Sequence, residues 1–311
     1  MKVLVTGGAG YVGWSVIHAL ASSPDVSEIV VYDNFARGNY GLLLGDKPAG
    51  STLIRIVVDD ILNSRALKKA MADIDCVAHL AAIAPSPYSD DNPHTFDQVN
   101  HWGTAEVCYA VEAADVPRLI YLSSGAIYGH SDTPVGTDAV PMPVNAYGRS
   151  KLAGEKQVQR LGDQREVAII RSGTVYGVNP SARFDTFANR FLLDAALGRS
   201  VQVNGSGDQV RPIIGVDNLA GKVSAAVTGR RPSAISHAIE KNISVNEAVD
   251  ALQNPSAPLD VIYINQQQRL SDLRVMPSDG SNPDGRDEGY AFNKRMAADR
   301  NRLMVAGQDA N

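Results

Sequence analysis

Tyr147 and Lys151 stand four residues apart in the stretch NAYGRSKLAGE, residues 145–155. On a helix that spacing stacks two side chains on one face. A free phenol titrates near pH ~10 and is a poor base in neutral water. A cation fixed beside it favours the phenolate and lowers that value, so the pair has the makings of a group that moves one proton. A second set of residues is TGGAGYVGWS, where Gly7, Gly8, Gly10 and Gly13 satisfy both GxxGxxG and GxGxxG. Glycines there allow a tight turn, close approach of backbone to a pyrophosphate and tight packing of the following helix, whose N-terminus favours negative charge. Asp33 falls 20 positions beyond Gly13, at the end of the next apolar run, as a dinucleotide fingerprint requires. Its carboxylate suits both adenosine ribose hydroxyls and repels a 2′-phosphate, so NAD is the expected cofactor rather than NADP. Arg37, four residues on, reads as an exposed loop arginine.

These residues need a scaffold, and the first two thirds of the chain describes one. Short β-branched runs (KVLVTG, EIVVYDN, LIRIVVDD, CVAHLAA, RLIYLSS and VAIIRSG) alternate with segments long enough for helices. That is the pattern of a parallel sheet covered on both faces, and it predicts a doubly wound α/β fold. Apolar residues recurring at three and four predict helices over 11–21, 64–72, 93–114 and 146–161. After about Gly177 the texture turns to Pro, Gly and charge, which predicts a smaller, loop-rich second part. SAISHAI, residues 233–239, reads as a late strand that rejoins the sheet. The expected division is a cofactor-binding Rossmann domain over 1–177, with 212–245 returning to it, and a smaller second part over 178–311.

Composition narrows the function classes. The 311 residues carry a formal charge of −5 and no long basic run, which argues against a nucleic-acid or anionic-membrane partner. The apolar runs are strand-sized, far short of a membrane span, and Met1-Lys2 leads straight into a strand rather than a signal peptide. The chain is therefore read as cytoplasmic, with small molecules as partners. Its two cysteines, Cys76 and Cys108, fall in apolar elements and read as buried thiols. No His and Cys spacing suits a metal, so none is expected.

The glycine loop, YDN at 32–34, VDDI at 58–61, HLAA at 79–82, VNHWGT at 99–104, SSGAIYG at 123–129 and YGRSK at 147–151 follow one another in a familiar order. Together they resemble an extended short-chain dehydrogenase/reductase of the NAD-dependent epimerase/dehydratase family. The resemblance implies that Gly7, Gly10, Tyr11, Val12, Gly13, Asp33 and Asn34 hold the cofactor. It places Asp60 and Ile61 beside the adenine, Leu80, Ala81 and Ala82 along the dinucleotide, and Asn100 in support of the active-site helix. Tyr147 would be the general base and acid, and Lys151 would depress its pKa and hydrogen-bond the nicotinamide ribose. Ser124, chosen over Ser123 by its distance from the following YG, would orient the substrate hydroxyl.

In this family the C-terminal part takes a nucleotide diphosphate sugar. Residues 187–220 are similar to the stretch whose arginine pairs with the diphosphate, which assigns that role to Arg211; Asn189 and Arg286 are further substrate candidates. Thr174 replaces an asparagine that commonly contacts the nucleotide, and Ala84 stands where several sugar epimerases carry lysine. A 4,6-dehydratase would need an Asp-Glu pair after the serine, where this chain has Gly125 and Ala126. The resemblance thus implies NAD-dependent 4-epimerisation of a nucleotide diphosphate sugar, most simply a UDP-sugar, through a transient 4-keto intermediate. The alternative is a dehydrogenase or reductase of another small alcohol or ketone, and a non-catalytic NAD-sensing scaffold is a third reading. The helices over 93–114 and 146–161 resemble the pair that builds a homodimer interface.

Overall fold

The structure is a computed structural model. It describes every residue except 85–91, 230–233, 254–257, 268–269, 282–285 and 309–311, and the backbone alone at 286–290 and 305–308. Seven parallel strands form the main sheet: β1 (Lys2–Thr6), β2 (Glu28–Asp33), β3 (Leu53–Val58), β4 (Cys76–His79), β5 (Arg118–Ser124), β7 (Glu166–Ser172) and β11 (Ile235–Ala238). Their spatial order is β11-β7-β5-β4-β1-β2-β3, so the chain winds outward in one direction from β1, returns to it, and winds outward in the other. Alternation along β1 shows why both faces are covered. Val3 and Val5 pack on one side with Val16, Ile17 and Leu20 of the helix Tyr11–Ala21 and with Leu219 and Val223 of the helix Val216–Thr228. Leu4 faces the other side, with Leu67, Val107 and Val158 from three further helices. Residues with period two serving two cores produce the uninterrupted apolar runs seen in the sequence.

The expected Rossmann-type fold is thus present, and the 233–239 segment does rejoin the sheet: Ile235–Ala238 pair in parallel with Ile169–Ser172. The segments flanking it do not enter the main sheet. A three-stranded sheet joins β8 (Thr174–Tyr176), β10 (Val210–Gly215) and β12 (Lys241–Ser244), while β9 (Val201–Asn204) pairs with β13 (Val261–Ile264) and β6 (Ser131–Val135) with β14 (Leu273–Val275). Tyr176, Phe191, Leu192, Ile213, Phe292 and Met296 belong to the separate core of this region.

The helix expected over 93–114 differs in a useful way. It is α-helical at Pro93–Phe96, widens to π-helical turns at Asp97–Trp102 and resumes at Gly103–Ala113. Gly103 abuts Ile61, where an added Cβ would come 2.5 Å from Ile61 Cδ1. The widened turn carries Asn100, whose side chain is fully buried and turned toward the site. Such π-turns inside helices are frequent at functional positions.

Candidate active site

A cleft of about 550 Å³ opens at the C-terminal ends of the main strands, the end at which ligands bind in open α/β sheets. Its first wall is backbone. Gly7 has φ +69°, and a Cβ there would lie 2.7 Å from the Ala81 backbone; a Cβ at Gly13 would lie 2.6 Å from Gly8 Cα. The helix Tyr11–Ala21 has Gly10 as its N-cap and no side-chain cap, and its first residues Tyr11 and Val12 line the cleft. Asp33 closes this end, accepting from the amides of Ala9 (3.0 Å) and Phe35 (2.8 Å), and burial pushes its carboxyl up despite those bonds. Asn34 donates to Asp60 at 2.7 Å. Ser123 and Thr186 line the same cleft with buried hydroxyls that find no partner among the described residues. A backbone cradle that any side chain would fill, a helix N-terminus and an acid at the second strand end fit a dinucleotide.

The acid–base residues sit at the middle of the cleft, and local contacts explain how. Asn145 caps the helix Ala146–Gln159, accepting from Gly148 N at 2.7 Å, which puts Tyr147 in the first turn. Gly148 lets that helix press on the turn after β5, since a Cβ would meet the Ala126 carbonyl at 2.6 Å. Gly154 gives a similarly close approach to Tyr121 and the Asn100 carbonyl. Ser124 ends β5 and caps the short 3-10 turn Gly125–Tyr128; its hydroxyl accepts from Ala126 N at 3.2 Å, and Ser124 and Tyr147 line the same cleft. Phe96 packs edge-on to Tyr147 with ring centroids 5.9 Å apart. Lys151 is 2% exposed, donates from Nζ to the Leu122 carbonyl at 2.7 Å and lies 4.2 Å from the centre of the Tyr121 ring.

The electrostatics depart from expectation in one respect. Burial pushes the Tyr147 phenol up, against the nearby Ser124 hydroxyl and the positive charge of Arg183, which both act to lower it. Lys151 was expected to depress the phenol, yet burial drives its own ammonium down to about 7, with Glu155 opposing. In the protein alone, desolvation outweighs the charge pairing that sequence spacing suggests.

Most other expected residues line the cleft: Tyr11, Val12, Asn34, Asp60, Ile61, Leu80, Ala81, Ala82, Thr174 and Arg211 all do. Arg211 is half-buried and donates to the carbonyls of Val210 (2.8 Å) and Ser271 (2.6 Å). Asn100 and Gly13 stand behind the lining. The Asn100 amide accepts from Ile83 N at 2.8 Å and donates to Ile83 O and to Ser150 Oγ, tying the loop after β4 to the Tyr147 helix. Asn189, expected at the substrate, is fully buried elsewhere: it accepts from Gly177 N and donates to Tyr11 Oη and Arg183 O, leaving its amide committed to the fold. Arg286 opens the helix Arg286–Gln308, and its side chain lies outside the described residues.

Arg183, which no sequence pattern marks, lines the cleft and pairs with Asp185 through two bonds of 2.5 and 2.9 Å. Arg37 also lines it, bonding the Ala84 carbonyl at 3.3 Å and lying 3.8 Å from Asp185. Neither arginine falls in a periodic element, so no spacing signal marks it.

Fold and cleft together define a dinucleotide-binding protein of the short-chain dehydrogenase/reductase type. Residues 3–238 match the NAD dependent epimerase/dehydratase family, and the chain belongs to it. It is similar to a UDP-glucose 4-epimerase from Streptomyces lividans, 31% identical over 245 residues that cover 74% of this chain and 72% of the relative. It is also similar to a dTDP-glucose 4,6-dehydratase from Mycobacterium tuberculosis, 28% identical over 70% of this chain and 66% of the relative. Other relatives match over only about half of their own length, 51% and 55% in two cases. Among solved structures, a UDP-glucuronic acid 4-epimerase from Bacillus cereus in complex with UDP-glucuronic acid and NAD shares the fold. Its TM-score is 0.84 at 23% identity, covering 98% of this chain and 100% of that one.

Proposed function

We propose that this protein catalyses reversible NAD-dependent 4-epimerisation of a nucleotide diphosphate sugar, a UDP-sugar first among them, through a transient 4-keto sugar. One observation carries the reading: Ser124, Tyr147 and Lys151 line one cleft at the strand ends, while the two positions after Ser124, Gly125 and Ala126, supply no acid or base. Dehydration would need both. When bound, NAD supplies a reversible hydride acceptor. Tyr147 Oη takes the proton of the C4 hydroxyl while Ser124 Oγ holds that oxygen in line, and Tyr147 returns the proton once the ketone has presented its other face. Lys151, held by the Leu122 carbonyl, stabilises the phenolate and reaches the ribose next to the nicotinamide.

Residues 1–177, with 212–245, hold the cofactor in this reading, and 178–311 mainly bind the substrate. Arg211 presents its guanidinium to the diphosphate, with Thr174 beside it and Arg286 as a second clamp. The helices over 93–113 and 146–159 pair with those of a second copy. Trp102 (57% exposed) and Tyr109 (49%) on that surface support a homodimer. Two buried free thiols suit a cytoplasmic protein, and no helix among the described residues is long and apolar enough to cross a membrane.

The test incubates purified protein with a panel of UDP- and dTDP-sugars and follows both the C4 epimer and the absorbance of reduced cofactor. Epimer without net reduction is expected. Tyr147→Phe should keep the fold and bound NAD while losing ~10²–10⁴-fold in turnover. Stoichiometric reduced cofactor with an oxidised product would mean a dehydrogenase instead.

A further inference from the structure

One ion pair is sealed from solvent at both ends. Arg171 on β7 is 3% exposed and Glu155 on the Tyr147 helix is 1% exposed. Two parallel bonds join them, Nε to Oε1 at 3.1 Å and Nη2 to Oε2 at 2.8 Å. The remaining donor is used as well: Arg171 Nη1 donates to Tyr128 Oη at 2.5 Å and to the Thr137 carbonyl at 3.1 Å. His237 Nδ1 lies 2.7 Å from the Met276 carbonyl, which can only accept, so Nδ1 carries the proton. Its Nε2 then accepts from Tyr128 Oη at 2.7 Å. Every polar atom of the chain Glu155–Arg171–Tyr128–His237 therefore has a partner.

Burying such a pair carries a desolvation cost, and apolar residues of similar size often stabilise a fold as well. Its value here lies in what it joins. Glu155 is one helical turn beyond Lys151. Tyr128 closes the turn that Ser124 opens. Arg171 stands in register beside Ser123 on the adjacent strand. We propose that Glu155 and Arg171 are positioning residues of the active site: the pair locks the helix bearing Tyr147 and Lys151 to the turn bearing Ser124, and Glu155 is the carboxylate that keeps Lys151 protonated.

The surroundings of Lys151 single out Glu155. His79 faces it from β4 and Tyr121 from β5, and Tyr147 shares its helix; Arg171 lies beyond Glu155. Burial holds His79 neutral, down to about 3, and pushes both phenols up, so none of these groups offers Lys151 a negative charge near neutrality. Among the described residues, Glu155 alone opposes the burial that drives the ammonium toward about 7.

The inference rests on the acid–base reading above, and its test separates the two. Glu155→Gln removes the charge and keeps the shape. Glu155→Gln combined with Arg171→Met leaves no unpaired guanidinium in the interior, so it should fold where the single variant does not, and its melting transition checks this. Tyr128→Phe cuts the link to the Ser124 turn without changing charge. One readout is the pH dependence of kcat for epimerisation. The other needs no turnover: the pH dependence of Lys151 acylation by acetic anhydride, followed by mass spectrometry of its peptide. The acylation midpoint should fall by about one pH unit or more in both Glu155 variants, and the alkaline limb of kcat should move down with it. Tyr128→Phe should leave the midpoint in place and lower kcat by ~10-fold. An unmoved midpoint in a double variant that retains NAD and a native melting transition overturns the charge role, and an unchanged kcat in Tyr128→Phe overturns the lock. Should the wild type turn over no nucleotide sugar while the midpoint still shifts, the substrate reading fails and the positioning role stands.

Discussion

The two ends of the cleft are built from different materials. At the cofactor end the wall is main chain: Gly7 and Gly13 approach other backbone so closely that a single methyl would collide, and Asp33 is fixed by two amides. At the other end the groups facing the cleft are side chains on loops and small sheets, with Arg211 held by two carbonyls and Arg183 by Asp185. Backbone geometry tolerates almost no substitution, whereas a guanidinium on a loop can be moved or exchanged without touching the core. One scaffold can thus keep its cofactor and change its substrate.

The contrast can be broken at its rigid end. Gly13→Ala should abolish NAD retention, because the new Cβ meets Gly8 Cα at 2.6 Å and the helix must move; NAD content after gel filtration reads this. Acid should loosen the same end next. His79 lies between Thr6 and Thr104, fully buried, with its pKa lowered from 6.5 to about 3. Because the unfolded chain binds this proton and the folded one does not, stability should fall as pH drops from 6.5 toward 3, at up to about 1.4 kcal/mol per unit from this residue. Denaturant midpoints across that range should show the slope, and His79→Asn should flatten it. At the variable end, Arg211→Leu should raise KM for the nucleotide sugar by ~10–100-fold and leave NAD binding unchanged, as expected for one charge-assisted contact. The smallest effect sharpens the comparison: Asp33→Ala should narrow the preference for NAD over NADP by about tenfold, measured by titrating both cofactors.

How much of this was readable from the residues follows the same divide. The glycine loop, Asp33 and the strand runs carry fixed spacings because sheet and helix periods impose them, and the structure places them together. Tyr147, Lys151 and Ser124 also converge, but the direction of the Tyr147 shift did not follow from spacing, because burial is a property of the whole fold. Asn189 looked like a ligand and is an internal strut, since its partners Gly177, Tyr11 and Arg183 meet only after folding. Arg183 had no pattern to reveal it. The widened turn at Asp97–Trp102 was likewise hidden within an unbroken helical periodicity.

The position of β11 has a consequence for how the protein is made. Residues 235–238 form one edge of the main sheet, beside β7, more than sixty residues after that strand is complete. While the ribosome adds the intervening stretch, β7 presents Ile169 and Ile170 on an open edge able to pair with another chain. Domains emerge at roughly 5–20 residues per second, so this exposure lasts on the order of several seconds in every round of synthesis. A nascent chain halted before Ile235 should therefore be the species most in need of a chaperone.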